Sequence, residues 1–296
     1  MSETPTKDRV GVLGNLTSFV APRLPNDAAN WFLLLFSGGT VLSAVMQRHF
    51  LEEAQTAQHL IEFNVGEAFG LAAIISAVLA RSHRCVTLAR TDITVLLLSA
   101  LAWFVPEQHC VYLATTFAGG WVLLRRKCAW RLADVGQVWI VLSIHELWGK
   151  LLFKLTYQLI EVIEVGLIYK IGLLIYSHIE IDGTSLSIRD DWSIVVVEGC
   201  SSFHNLSLAV LIWLSILKIA EQSAGRAAFR ALAVSACLVI AINVARILAM
   251  LPSREAYSFW HDGNGSSLVA LGSVLAAVIP VLICVEDRAC RPSTQS

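Results

Sequence analysis

The stretch Lys154–Tyr176, KLTYQLIEVIEVGLIYKIGLLIY, decides how often this chain crosses a bilayer, and with it the fold. It is apolar enough for a membrane span, yet Glu161, Glu164 and Lys170 lie inside it. A charge near the centre of a membrane helix costs about 2.5–3.5 kcal/mol. Spanning here would also carry Arg226 and Arg230 to the outer side. The better reading is an amphipathic helix lying in the outer interface, apolar face towards lipid.

Around it the chain reads as a membrane protein. Of 296 residues, 56% are hydrophobic and 15% charged, against about 25% charged in soluble domains. Runs long enough to approach a span of about 20 residues fall at 28–46, 64–80, 92–106, 109–124, 134–153, 203–220, 229–250 and 266–285. The expectation is therefore an all-α polytopic protein of about eight transmembrane helices, one domain over 1–296. The third and fourth runs, broken only at Pro106-Glu107-Gln108, predict a tight helical hairpin. Residues 1–27 lack a signal-peptide apolar core and read as a cytosolic lead-in. No repeat, low-complexity tract or soluble second domain is visible.

Charge sets the orientation. Fifteen Lys and Arg fall in one alternating set of connections and six in the other, with Arg246 inside a run. Both termini are thus expected in the cytoplasm, and segments 47–63, 149–202 and 251–265 on the outer side. The net charge of −1 points to no class of partner, and nucleic acid is not expected as one.

After the amphipathic segment, His178–Ile188 alternates polar and apolar residues about Asp182-Gly183, a β-hairpin signal with a turn that tolerates positive φ. Then comes Glu198-Gly-Cys200-Ser-Ser202-Phe-His204, where a polar run becomes a long apolar one. Seven cysteines with no CxxC indicate neither a disulfide framework nor a zinc ribbon. His145-Glu146 begins like HExxH, but position 149 is Gly, so the second ligand is missing. Neither metal nor cofactor is called for.

Three reactive groups return to one membrane level. Cys200 precedes one apolar run, Arg246 nearly closes the next in Asn243-Val-Ala-Arg246, and His261 stands before the last in His261-Asp-Gly-Asn-Gly265. Antiparallel connectivity brings a start, an end and a start to the same side. A thiol becomes a good nucleophile as a thiolate, which a helix N-terminus favours. Arg246 stays protonated and suits an oxyanion; an imidazole can carry protons between leaving and attacking groups. Each residue also has a plainer reading: a packed cysteine, an arginine snorkelling to lipid phosphate, a surface histidine. The six other cysteines take the plain reading. Asn243, one turn from Arg246, is a candidate to hold it, and Asp262 to orient His261. His204 competes with His261 as base. Glu198, which would oppose a thiolate, is expected to point away or bind substrate.

At these motifs the chain resembles the exosortase/archaeosortase family of multi-pass membrane cysteine transpeptidases. The likeness covers the core from about 134 to 285; the first four runs agree only in being hydrophobic. It implies Cys200 as nucleophile, His261 as general acid/base and Arg246 as stabiliser of oxyanion or thiolate, with Ser201 and Ser202 beside them. Ser202 stands where the family usually has Gly, which implies a divergent subgroup. The resemblance further implies substrate proteins anchored by a C-terminal sorting helix, cut on the outer face, an acyl acceptor that is glycan, lipid or water, and the inner membrane of a bacterium that exports polysaccharide. The alternatives are a non-enzymatic scaffold for exopolysaccharide assembly and a small-solute transporter built around Arg246; the second lacks the repeats and broken helices such proteins show.

Overall fold

A computed structural model describes residues 28–52, 64–80, 87–125, 130–189, 191–196 and 201–290. The described chain is mostly helical. Its helices are α1 (Ala28–Glu52), α2 (Val65–Leu79), α3 (Arg90–Ala100), α4 (Gln108–Leu124), α5 (Trp130–Ser143), α6 (Gly149–Gly172), α7 (Phe203–Ile219), α8 (Arg226–Met250), α9 (Arg254–His261) and α10 (Asn264–Cys290).

Every apolar run in the sequence forms a helix, but the expected eight spans are not borne out. Among the described residues, three helical stretches are long and apolar enough to cross a membrane: Ala28–Arg48, Arg226–Met250 and Asn264–Arg288. The reason is rise per residue. At 1.5 Å each, the 15 residues of α2 give about 22 Å and the 11 of α3 about 17 Å, short of a hydrocarbon core of about 30 Å. The hairpin at Pro106 is present. A 3₁₀ turn over Leu101–Phe104 ends α3, and Asp92 at its start accepts from Trp121 Nε1 (2.9 Å) and Arg125 Nη1 (2.9 Å) at the end of α4.

The boundary expected at residue 154 is absent. A π-helical turn, Ile144–Trp148, joins α5 to α6, so the backbone is helical from 130 to 172. Gly149 belongs to this turn. Its N–H donates to the Ile144 carbonyl five residues back, and a Cβ there would stand 2.7 Å from that oxygen. The expected amphipathic helix is real in pattern. Leu152, Leu155, Leu159, Val162 and Ile163 are exposed along one side of α6, whereas Phe153, Val165 and Ile168 are buried on the other. It is a continuation of α5, because nothing in Trp148–Lys154 breaks the backbone.

The hairpin gains a third strand. β1 (Glu180–Asp182), β2 (Ser185–Arg189) and β3 (Trp192–Val195) form an antiparallel sheet in sequence order. Asp182 pairs with Ser185, so the turn centres on Gly183-Thr184, one residue later than the expected Asp182-Gly183. Gly183 takes φ of 59°, the positive φ at the first central position that a II′ turn requires. Leu186 and Ile194 face each other across the ladder, both buried. With Ile179 and Val196 they join Val165 and Ile168 of α6 and Val244, Ile247 and Leu248 of α8 in one apolar cluster. The sheet therefore stands on the C-terminal end of α8.

A larger core binds the helices together, with Trp139 at its centre, 1% exposed. Its indole N–H donates to Ser37 (3.0 Å) and Phe36 meets its ring edge-on at 5.0 Å. The indole N–H and the Ser37 hydroxyl, both buried, thereby each keep a partner. One end of the bundle collects the ends of α1, α5 and α8 and the starts of α2, α4, α7 and α10. The opposite end is closed by Asp92–Arg125 and by an ion pair of Asp134 with Lys218.

Candidate functional site

Two groups of polar residues occupy that first end. The sequence pointed at one of them.

The first is a ledge where α8 meets α9. Pro252 stops α8, and Ser253 starts α9 as its N-cap, its hydroxyl accepting from the Ala256 N–H at 3.1 Å. The Glu255 carboxyl, held by its own backbone N–H and by Ser253, lies below the usual carboxylate range. The sequence showed 251–265 only as an outer segment, since an eight-residue helix is too short for a periodicity signal. His261 closes α9. Arg246 donates from Nε to the Trp260 carbonyl at 3.1 Å, so the guanidinium and His261 are joined through one residue. His261 Nδ1 lies 2.7 Å from Asp262 Oδ1, and its ring stacks on Tyr257 at 4.7 Å and 13°. A carboxylate can only accept, so Nδ1 carries the proton, and Nε2 has no hydrogen bond to a described residue. The side chain of Asp262 is thus the hydrogen-bond partner of the His261 ring. Asn243 is buried one turn before Arg246; Arg246 is fixed by the Trp260 carbonyl.

Cys200 and Glu198 lie outside the described residues. The chain on either side of them is placed. Val196 sits in the apolar cluster with Val244, Ile247, Tyr257 and Trp260, the same turns of α8 and α9 that carry Arg246 and His261. Its carbonyl accepts from Tyr157 at 3.2 Å. On the other side Ser201 and Ser202 are buried. Ser202 donates its N–H to Glu164 Oε1 at 2.9 Å and its hydroxyl to the same oxygen. The charge that argued against a ninth span thus holds the start of α7. Ser201 Oγ accepts from the Phe203 N–H at 3.2 Å.

The second group is a buried ionic network that motif reading missed. Arg48, at the end of α1, reaches Glu146 Oε2 (2.8 Å), Glu67 Oε1 (3.2 Å), Tyr112 Oη (2.9 Å) and Gln108 Oε1 (3.2 Å). Asn64 caps α2, accepting from Gly66 at 2.9 Å, and donates to Glu146. Tyr112 donates to Glu67, and Lys150 Nζ lies 3.1 Å from Glu146 Oε2. The carboxylates are 4% and 1% exposed. The sequence signal was there: Glu67 and Glu146 are ionisable residues inside apolar runs, which are expensive and hence placed for a reason.

His204 belongs with this network and not with His261. Its ring stacks on His145 at 4.7 Å and 26°. His145, 2% exposed, has Nδ1 2.8 Å from Ser207 Oγ, and that hydroxyl donates to the His204 carbonyl at 2.7 Å. A hydroxyl has one proton and a carbonyl only accepts, so Nδ1 of His145 is the donor to Ser207. The π turn brings about this arrangement by pointing consecutive residues, His145 and Glu146, both inward; π turns recur at functional sites.

The ledge is equipped for charge stabilisation and proton transfer at its open face. The network is equipped to hold five segments of chain together. Comparison with protein-family models, with curated proteins and with solved structures finds no match.

Proposed function

We propose that this chain is a membrane-embedded cysteine transpeptidase or protease that cleaves a C-terminal sorting signal from membrane-tethered proteins through a thioester on Cys200. The observation that carries the proposal is the Arg246–Trp260 hydrogen bond. It ties a guanidinium to the residue beside an imidazole whose Nδ1 is already committed to Asp262, while the chain leading to Cys200 packs on the same turns through Val196.

The chemistry follows from those roles. The Cys200 thiolate attacks the scissile carbonyl, and Arg246 faces the oxyanion that forms. His261 Nε2, which takes up the thiol proton as the Cys200 thiolate forms, gives it to the leaving amine as the C–N bond breaks, leaving a thioester. An acceptor hydroxyl, or water, then yields a proton to Nε2 and attacks the thioester, and the thiolate departs. Substrates held by their own membrane helix arrive at a fixed height, which supplies much of the positioning. The site faces the outer, Lys/Arg-poor side of a bacterial inner membrane, with both termini inside.

The test is co-expression with a tagged protein ending in a sorting helix. Cys200→Ala abolishes its processing, and mass spectrometry of the wild-type enzyme recovers a hydroxylamine-sensitive acyl adduct on Cys200. Processing that continues in Cys200→Ala rules the proposal out, and leaves the scaffold reading.

A further inference from the structure

A cavity of about 340 Å³ opens between the first turns of α6 and α7, lined by Lys150, Phe153, Ser201, Phe203, His204 and Ser207. Its size lies within the range of about 300–1,000 Å³ of small-molecule pockets. Its place is fixed from both sides: Gly149 by the π turn, and α7 by the bonds of Ser202 to Glu164.

The cavity's hydrogen-bonding groups are mostly donors without acceptors. Lys150 gives one N–H to Glu146 and keeps the others. Ser201 accepts from Phe203, and its own proton meets no acceptor among the described residues. The His204 ring, exposed at the cavity, stacks on His145 and has no hydrogen bond to a described residue. Ser207 has spent its one proton on the His204 carbonyl and accepts from His145. The remaining wall is aromatic: Phe153 and Phe203 stack at 5.2 Å and 27°. Unspent donors around one ammonium, above two phenyl rings, match an acceptor-only head on an apolar body. The Glu146 carboxylate on the same ammonium repels a dianion, so a single negative charge fits and a phosphate dianion does not.

We propose that this cavity is a binding site for a monocarboxylate carried on an apolar or aromatic group, its oxygens received by Lys150, Ser201 and His204 and its body resting on Phe153 and Phe203. The site requires nothing of Cys200, Arg246 or His261, so it stands or falls apart from the transpeptidase reading. A free acid and the C-terminal carboxylate of a peptide offer the same chemistry.

The experiment is fluorine NMR on the purified full chain in nanodiscs. Two probes are titrated: 3-(4-fluorophenyl)propionate for a free acid and N-acetyl-4-fluorophenylalanine for a peptide end. Their neutral controls are the corresponding alcohol and the primary amide, which partition into lipid without offering a carboxylate. Saturable binding of either acid, at least tenfold tighter than its control, is expected, and the acid that binds names the source. Lys150→Met should weaken it tenfold or more. His204→Phe, which keeps the ring stack, should weaken it severalfold and serves if Lys150→Met does not fold. Acids that fail to saturate, controls that bind equally well, or a folded Lys150→Met or His204→Phe variant with unchanged affinity overturn the assignment.

Discussion

The buried network and the α8–α9 ledge lie at the same end of one bundle and use the same residue types, yet they are built to opposite specifications. In the network each carboxylate has several internal partners. Glu146 receives Arg48, Lys150 and Asn64, and Glu67 receives Arg48 and Tyr112. On the ledge His261 has one polar partner, Asp262, whose side chain is 71% exposed, and its second nitrogen has no hydrogen bond to a described residue. A group whose hydrogen bonds are all met within the protein has little left for a substrate. The contrast separates charges that hold the chain from charges that act on something else.

Glu146→Gln tests the first half of this contrast and should have the largest effect. It strips the charge from a carboxylate that is 1% exposed while Arg48 and Lys150 remain. Breaking a buried ion pair from one side costs about 3–5 kcal/mol. The expected outcome is a large drop in the thermal midpoint of purified protein in detergent, or loss of folded protein altogether. A midpoint within a degree or two of wild type would mean that the network is not what joins α1, α2, α4 and the π turn.

Arg246→Gln tests the other half, with the opposite signature. Arg246 is only partly buried, and its Nε hydrogen bond goes to a single backbone carbonyl, so folding should change by about 1 kcal/mol or less. Processing of a tagged substrate should fall about 10²–10³-fold, the loss typical of removing one oxyanion donor. A variant that cuts normally, or one that unfolds like Glu146→Gln, would erase the distinction between the two regions.

How much of this was legible in the sequence depended on the range of the interactions. Helix positions follow from local apolarity, and each expected run is helical, although the run at 134–153 continues into α6, and α9 lay in a segment read only as an outer connection. Span number does not follow, because residues 65–79 are apolar yet too short, and residues 154–172 carry charges, one of which, Glu164, meets its partner Ser202 only in the folded chain. That Arg246 and the end of α9 share one level was legible because connectivity alone returns both to it. The network was not. Arg48 and Glu146 are 98 residues apart, and no spacing rule connects an arginine at one helix end with a glutamate in a π turn. Gly149 shows the same limit: in sequence it removes a metal ligand from HExxH, and in structure it is the residue that lets the π turn close.

The smallest effect is expected where the two regions meet. Ser202 stands two residues after Cys200, where the resembled family usually has Gly, and the structure gives its hydroxyl a use: with its own N–H it holds Glu164 Oε1. Ser202→Gly removes the hydroxyl bond and keeps the N–H bond. A hydrogen bond to a charged group contributes about 1.5–3 kcal/mol, and glycine at a helix start loses only a few tenths. Because the carboxylate retains one donor, a loss near 1 kcal/mol is expected, read as a shift of a few degrees in melting. Glu164→Leu should cost more, since it leaves both the hydroxyl and the N–H of a buried residue unpartnered. The pair also couples: Ser202→Gly in the Glu164→Leu background should add almost nothing further. If the two losses simply add, Ser202 and Glu164 act separately, and the start of α7 is fixed by the stack of Phe203 on Phe153 instead of by the carboxylate.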